Sequence, residues 1–395
     1  MPADAFQTTS TREDDLVARA ARRIPLLKER AEEVEKTRAL PQDLAETLAR
    51  DGFYTLCHPV SQNGQGATPA TYFNCIETLA RGDASPAWCA FIATTASYGM
   101  STVETEAMAR LLERPDIITA GVFAPMGRAV PATENGEAGY RVTGRWAWGS
   151  SSQNASWIMG GCLVADETGA PVLNDKGKPR HISPVYSASD VSFIDTWTVS
   201  GLQGTGSTDF AVDNAFVPAD RVIGNFDTAR DDLAIYRFPG FSLLALGIAA
   251  VALGTARGAM EDFLELAHAG DGKSPLATKA SSHRDAAVAE AAIRQGRAFL
   301  VEAVEACWAE AEAGPVSIER RRDLRLACTA AVRSAAGAVD DLYELCGGAS
   351  VYRRLPIQRR FRDVHVATQH IMVRKGIYDL AGRLLLDQPT DVSML

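Results

Sequence analysis

The hydrophobic period of this chain changes twice, which leaves few folds open to it. Over residues 12–114 apolar side chains recur at helical spacing. Leu16, Ala20, Ile24, Leu27 and Ala31 share one face, Pro41 opens a helix that runs through Ala49 and stops near Gly52, and the spacing resumes over 72–80, 84–99 and 103–112 after a Gly-rich loop at 59–69. From Ile117 to about Val222 the spacing becomes that of strands. Segments 119–124, 140–146, 156–164 and 210–218 mix alternation with short apolar runs between turn residues. Long amphipathic helices return over 241–269, 283–313, 318–346 and 357–386, and their many Ala and Gly residues permit close packing within or between subunits. The expected class is α+β, with an N-terminal α-helical subdomain (1–116), a central β-barrel-like subdomain (117–224) and a C-terminal four-helix bundle (225–395).

A chain of 395 residues with 46% hydrophobic and 23% charged residues can bury a core of that size. Its net charge of −9 argues against nucleic acid as a partner. The nearest basic run, 319–325, is interrupted by acids and reads as a solvated helix face. Seven scattered cysteines among apolar neighbours imply buried free thiols and a reducing, cytoplasmic setting. No CxxC or HExxH pattern occurs, so no metal is expected. Residues 1–15 are polar and acidic, and the longest apolar run, 241–253, is too short and too rich in Ala and Gly for a bilayer. Neither secretion nor membrane insertion is expected.

Several familiar patterns fail on context. Gly272-Lys-Ser274 ends like a phosphate loop, but Ala267 stands five residues before Gly272 and the segment follows a helix. Gly204-Thr-Gly206 begins like a dinucleotide fingerprint, yet position 209 is Asp and no βαβ unit surrounds it. No GxSxG elbow is present. His365 and His370 are five apart, about 140° around a helix, which is wrong for two ligands of one metal.

Three stretches carry chemistry. Gly144-Arg-Trp-Ala-Trp-Gly-Ser-Ser-Ser-Gln-Asn-Ala-Ser-Trp157 puts three indoles beside a serine run, which suits a flat ligand with polar edges. If it is a strand, Trp148 and Ser150 point the same way. Val199-Ser-Gly-Leu-Gln-Gly-Thr-Gly-Ser207 is the second. The third, Arg362-Asp-Val-His-Val-Ala-Thr-Gln-His370, leads into an apolar helical stripe of Val366, His370, Val373, Ile377, Leu380 and Leu384 that would aim His370 inward.

In order and spacing these stretches resemble the acyl-CoA dehydrogenase superfamily in its two-component, flavin-dependent monooxygenase branch, and the resemblance covers nearly the whole chain. It implies that Trp148 and Phe123 pack by the flavin ring, that Ser150, with Ser151 beside it, bonds the flavin near N5, and that Gly347, Gly348, Ser350 and, more weakly, Arg257 approach a flavin phosphate. His370 would face the substrate side as a base. Many phenol hydroxylases of the branch carry a histidine in the helix after Ala84–Trp88. Here that place reads Thr94-Thr-Ala-Ser-Tyr-Gly99, so Ser97 or Tyr98 takes over the substrate contact or the substrate differs.

The dehydrogenases themselves need a carboxylate base. One of its two positions reads Gln369-His-Ile-Met372 here, and the other falls near Gly270–Gly272, where Asp271 is the nearest substitute. The resemblance therefore implies an oxygenase component that takes reduced flavin, FMNH2 before FADH2, from a separate NAD(P)H:flavin reductase. With O2 it would hydroxylate, by way of a flavin C4a-hydroperoxide, a phenolic or polyketide-like aromatic or an amine in secondary metabolism. A homotetramer is implied too. The rival readings are an FAD-containing acyl-CoA dehydrogenase or oxidase, and a catalytically silent scaffold subunit.

Overall fold

The computed structural model describes residues 4–224, 230, 232–269 and 274–395; Asp271 lies outside them. Five helices come first: α1 (Asp4–Thr37), α2 (Gln42–Arg50), α3 (Pro69–Gly82), α4 (Ala84–Ser101) and α5 (Glu106–Leu111). Thr68, Asp83 and Thr105 cap the last three, each side chain accepting a backbone N–H of the first turn. The strands are β1 (Thr119–Glu134), β2 (Glu137–Trp146), β3 (Trp157–Val164), β4 (His181–Ser187), β5 (Ser192–Ile194), β6 (Asp209–Pro218) and β7 (Val222–Ile223). They form one sheet in the order β5-β6-β2-β1-β3-β4-β7, with β5 and β7 at its two ends. β1 and β3 run parallel, and the other pairs are antiparallel. The helices that follow are α6 (Ala234–Arg237), α7 (Gly240–His268), α8 (Pro275–Thr278), α9 (Ala280–Ala313), α10 (Ile318–Leu345), α11 (Ile357–Ala367) and α12 (Gly376–Leu385).

Helix α7 is the axis of the molecule. It packs on α3 and α4 from the first third and on α10 and α11 from the last. Its length and apolar character would let it cross a membrane, but 94% of its most apolar window is buried inside the chain, as expected of a core helix. Glycine lets it approach so closely: a Cβ at Gly254 would stand 2.1 Å from the Glu77 carbonyl oxygen, and one at Gly247 2.2 Å from the Tyr72 hydroxyl.

Three expectations need correction. The helix expected over 357–386 is broken: α11 ends at Ala367, His370 is extended (φ −64°, ψ 135°), and a short 3-10 turn, Ile371–Val373, precedes α12. His370 is thus at a turn and not on a helical stripe. The run 319–325 is not wholly solvated, because Arg325 is 1% exposed. It shares the inner face of α10 with Cys328, Thr329 and Val332, three, four and seven residues on, all buried. Lastly, Trp148 and Ser150 are not on a strand, since β2 ends at Trp146. All seven cysteines are free and buried.

Candidate active site

The site grows from the end of β2. The Trp146 indole is fully buried, stacks on Phe210 at 5.1 Å and donates through Nε1 to the Gly161 carbonyl at 2.8 Å. Gly127, Gly144 and Gly160 leave the space it fills. Beyond this anchor the backbone turns through left-handed conformations at Trp148 (φ +64°) and Ser151 (φ +63°). The amides of Gly149 and Ser151 bond the carbonyls of Thr208 and Thr205, at 3.0 and 3.1 Å. The two-residue alternation is lost here, which is why Trp148 stands 67% exposed while Ser150 and Ser151 are buried.

Ser150 heads a chain of hydroxyl groups. Its Oγ lies 2.5 Å from Ser207 Oγ, which lies 2.7 Å from Thr205 Oγ1, and Thr205 donates to the Leu202 carbonyl at 2.7 Å. Each hydroxyl has one proton, and a carbonyl can only accept, so the order is set: Thr205 gives to Leu202, Ser207 to Thr205, and Ser150 to Ser207. Consistently, Ser150 accepts from Trp88 Nε1 at 3.1 Å. Ser150 therefore keeps a lone pair but no spare proton. Ser151 Oγ is buried without a hydrogen-bond partner, beside the Cys89 thiol.

Trp88 also meets His370 edge-on, with ring centroids 6.0 Å apart. Burial, with a further contribution from the Arg325 guanidinium, pushes the His370 imidazole down to about 4, so it is neutral at pH 7. From Trp88 the same face of α4 continues through Phe91, Thr95 and Tyr98, at offsets of three, seven and ten residues. Thr95 and Tyr98, with Phe123, Gly240, Phe241 and Leu244, line a cleft between α4, β1 and the start of α7.

The second and third stretches reach the same place. The Leu202 amide donates to Asp363 Oδ1 at 2.6 Å, and Arg362 donates to the Ser200 carbonyl at 2.7 Å. Asp363 is fully enclosed; burial first, then the nearby Asp83, raises its carboxyl to about 7. The structure thus brings Ser150 and His370 together through Trp88, with Ser151 adjoining, and sets Phe123 and Tyr98 in the cleft.

Other expected residues are committed elsewhere. The Ser97 hydroxyl bonds the carbonyls of Tyr54 and Thr94, both at 3.0 Å. Arg257 is held by Glu290 at 2.7 and 3.2 Å. Gly347, Gly348 and Ser350 form a turn after α10, where Gly347 has φ +54° and Ser350 donates to the Gly347 carbonyl at 2.6 Å. No hydrogen bond among the described residues joins that turn to the Ser150 cluster. Trp88, Thr205, Ser207 and Arg325 were missed as site residues. Thr205 and Ser207 lie in the second chemistry-bearing stretch without having been singled out, and Arg325 left a trace as a cation in step with an apolar stripe.

Two family descriptions match the chain: "Acyl-CoA dehydrogenase, N-terminal domain" over residues 11–110 and "Acyl-CoA dehydrogenase, C-terminal domain" over residues 246–375. An indole-3-acetate monooxygenase of Pseudomonas putida is 30% identical over 363 residues, 89% of this chain and 88% of that protein. A flavin-dependent monooxygenase, oxygenase subunit HsaA, of Rhodococcus jostii is 28% identical over 371 residues, 88% and 91% of the two chains. The crystal structure of 3-HSA hydroxylase from Rhodococcus sp. RHA1 superposes with a TM-score of 0.87 at 27% identity, covering 96% of this chain and 98% of that one. The chain belongs to the acyl-CoA dehydrogenase superfamily, in its flavin-dependent monooxygenase branch.

Proposed function

We propose that this protein is the oxygenase component of a two-component monooxygenase that hydroxylates a phenolic or related aromatic compound, using reduced flavin made by a separate reductase. The observation that carries the reading is that Trp88 joins Ser150 of the first stretch to His370 of the third, while Ser207 of the second bonds Ser150. The relatives named as a monooxygenase and as an oxygenase subunit support both the activity and the need for a reductase.

The residues present fit a flavin. The exposed Trp148 indole offers a face for a flat ring, and the orphaned Ser151 hydroxyl offers an unused polar contact. Ser150, with a lone pair and no spare proton, suits a ligand N–H. Reduced flavin carries an N–H at N5 and oxidised flavin does not, so this side chain favours the reduced form. When bound, the flavin supplies activation of O2.

The chain's own part is to keep the site dry and the substrate oriented. Tyr98, Phe123, Phe241 and Leu244 give the narrow cleft apolar walls, and His370 packs edge-on to Trp88, which shares a face of α4 with Tyr98. We read the subunit as one of a homotetramer, supported by the exposed Val351, Tyr352, Leu385 and Leu386 in its C-terminal third. The test is turnover with NAD(P)H, a flavin reductase and a panel of phenols. Hydroxylated product should form only when reductase, flavin and this protein are all present, and NADH oxidation without product across the panel would contradict the reading.

A further inference from the structure

His370 is fixed by contacts that the reading above leaves unused. Its Nδ1 accepts the Met372 amide at 3.2 Å, closing the turn that follows α11. The carbonyl of the same residue, Met372, accepts from Arg325 Nη2 at 2.9 Å, while Arg325 Nη1 donates to the Met394 carbonyl at 2.5 Å. Arg325 is 1% exposed, and its Nε has no partner. A buried guanidinium that leaves a donor unsatisfied is costly unless it holds something in place. Here its fork spans two backbone segments, a geometry that the single point of a lysine ammonium reproduces poorly.

The hydrogen bond at Nδ1 decides the tautomer. A neutral imidazole carries one N–H, and the nitrogen that accepts an amide cannot be the one that bears it, so the proton is on Nε2. A second proton would set Nδ1–H against the Met372 N–H. Among the described residues no protein group bonds Nε2, and the residue is not fully buried.

We propose that Arg325 is a positioning residue that, through Met372, holds His370 as a neutral imidazole whose Nε2–H donates a hydrogen bond to an oxygen of the substrate. This rests on the proposed function, with the substrate taken to bind beside Trp88 and His370. It departs from the role of base, which needs a bare nitrogen where this geometry puts an N–H. A substrate phenolic or carbonyl oxygen is the group such a donor recognises.

The experiment has two arms on the full chain. In the first, the protein labelled with 15N-histidine is measured by long-range 1H–15N NMR, the His370 signal among six histidines being assigned with His370→Gln. The Nε2–H tautomer is expected in the wild type, and a mixture of tautomers in Arg325→Lys and Arg325→Met. An Nδ1–H tautomer in the wild type, or an unchanged ratio in Arg325→Met, overturns the proposal.

In the second arm, His370→Gln places an amide N–H near the Nε2 position, whereas His370→Asn places it near Nδ1. Gln should retain turnover within about tenfold of wild type, and Asn should lose on the order of 100-fold, the effect of removing one positioned donor. Equal losses overturn the donor role. The NMR arm needs neither flavin nor substrate, so a wild type that hydroxylates nothing counts against the functional reading, and a wrong tautomer against this inference alone.

Discussion

At the scale of single residues, the site is governed by which atoms still hold a proton. Ser150 uses its own in a hydrogen bond to Ser207, and that order depends on Ser207 donating to Thr205 and Thr205 to the Leu202 carbonyl. Ser207→Ala removes the acceptor and frees the Ser150 hydroxyl to donate. The preference for reduced over oxidised flavin should then shrink by roughly tenfold, the worth of one hydrogen bond, as read by titrating both redox states; an unchanged ratio would mean that Ser150 does not meet the flavin. His58 gives a test of a different kind. It is buried, bonded to Gln62 through Nε2 and without a partner at Nδ1, and burial lowers it from 6.5 to about 4. Its folded-state pKa is depressed, so the stability it contributes is present above about pH 6.5 and is lost as pH falls through 4. Between those values the wild type should lose about 3 kcal/mol more than His58→Gln in urea unfolding. Parallel curves for the two proteins would contradict the assignment. Asp363, raised to about 7, acts in the opposite sense over the same window, so the variant comparison is the informative one.

At the scale of elements, the switch of period from helix to strand and back was readable, and the structure shows it at Thr119 and after Ile223. Local interruptions were not readable. Residues 357–386 have helical composition throughout, but Met372 finds an imidazole as its amide's acceptor and a guanidinium as its carbonyl's donor. Tertiary partners therefore outbid the next helical turn, and periodicity carries no record of them. The same holds for Trp148, where bonds from the Gly149 and Ser151 amides to the 205–208 turn override strand geometry. The Trp146 anchor, by contrast, has a partial signature in the glycines around it. Gly160→Ala would bring a Cβ within 2.6 Å of the Trp146 ring. We expect a loss of about 1–3 kcal/mol of stability, the usual cost of overpacking. A thermal midpoint within a degree of wild type would show that the indole can shift.

At the scale of the whole molecule, one basic cluster in α11 binds the helical parts to each other. Arg360 bonds Asp262 on α7 at 3.0 Å and the carbonyls of Ala80 and Arg81 at the end of α3 at 3.0 and 2.7 Å. Arg359 pairs with Asp83 at 3.3 Å, and Arg362 with Glu35 on α1 at 2.6 Å. Arg360→Met would leave the buried Asp262 with only the more distant Lys28, at 3.8 Å, and two interior carbonyls without their guanidinium donor. A loss of roughly 3–5 kcal/mol is expected from chemical denaturation, more than for any exposed pair such as Arg110–Glu106. These long-range pairs are where sequence reading stops, because an arginine bound to residues 98 and 280 positions away leaves no local pattern.

The most direct measurement is an anaerobic equilibrium titration of the wild-type protein with FMNH2 and FADH2, beside the same titration with FMN and FAD. A reduced flavin bound at least tenfold more tightly than its oxidised form is expected, because only the reduced form offers an N–H to the Ser150 lone pair. Equal affinity for the two redox states, or tighter binding of oxidised FAD, would contradict a site built for a diffusing reduced flavin.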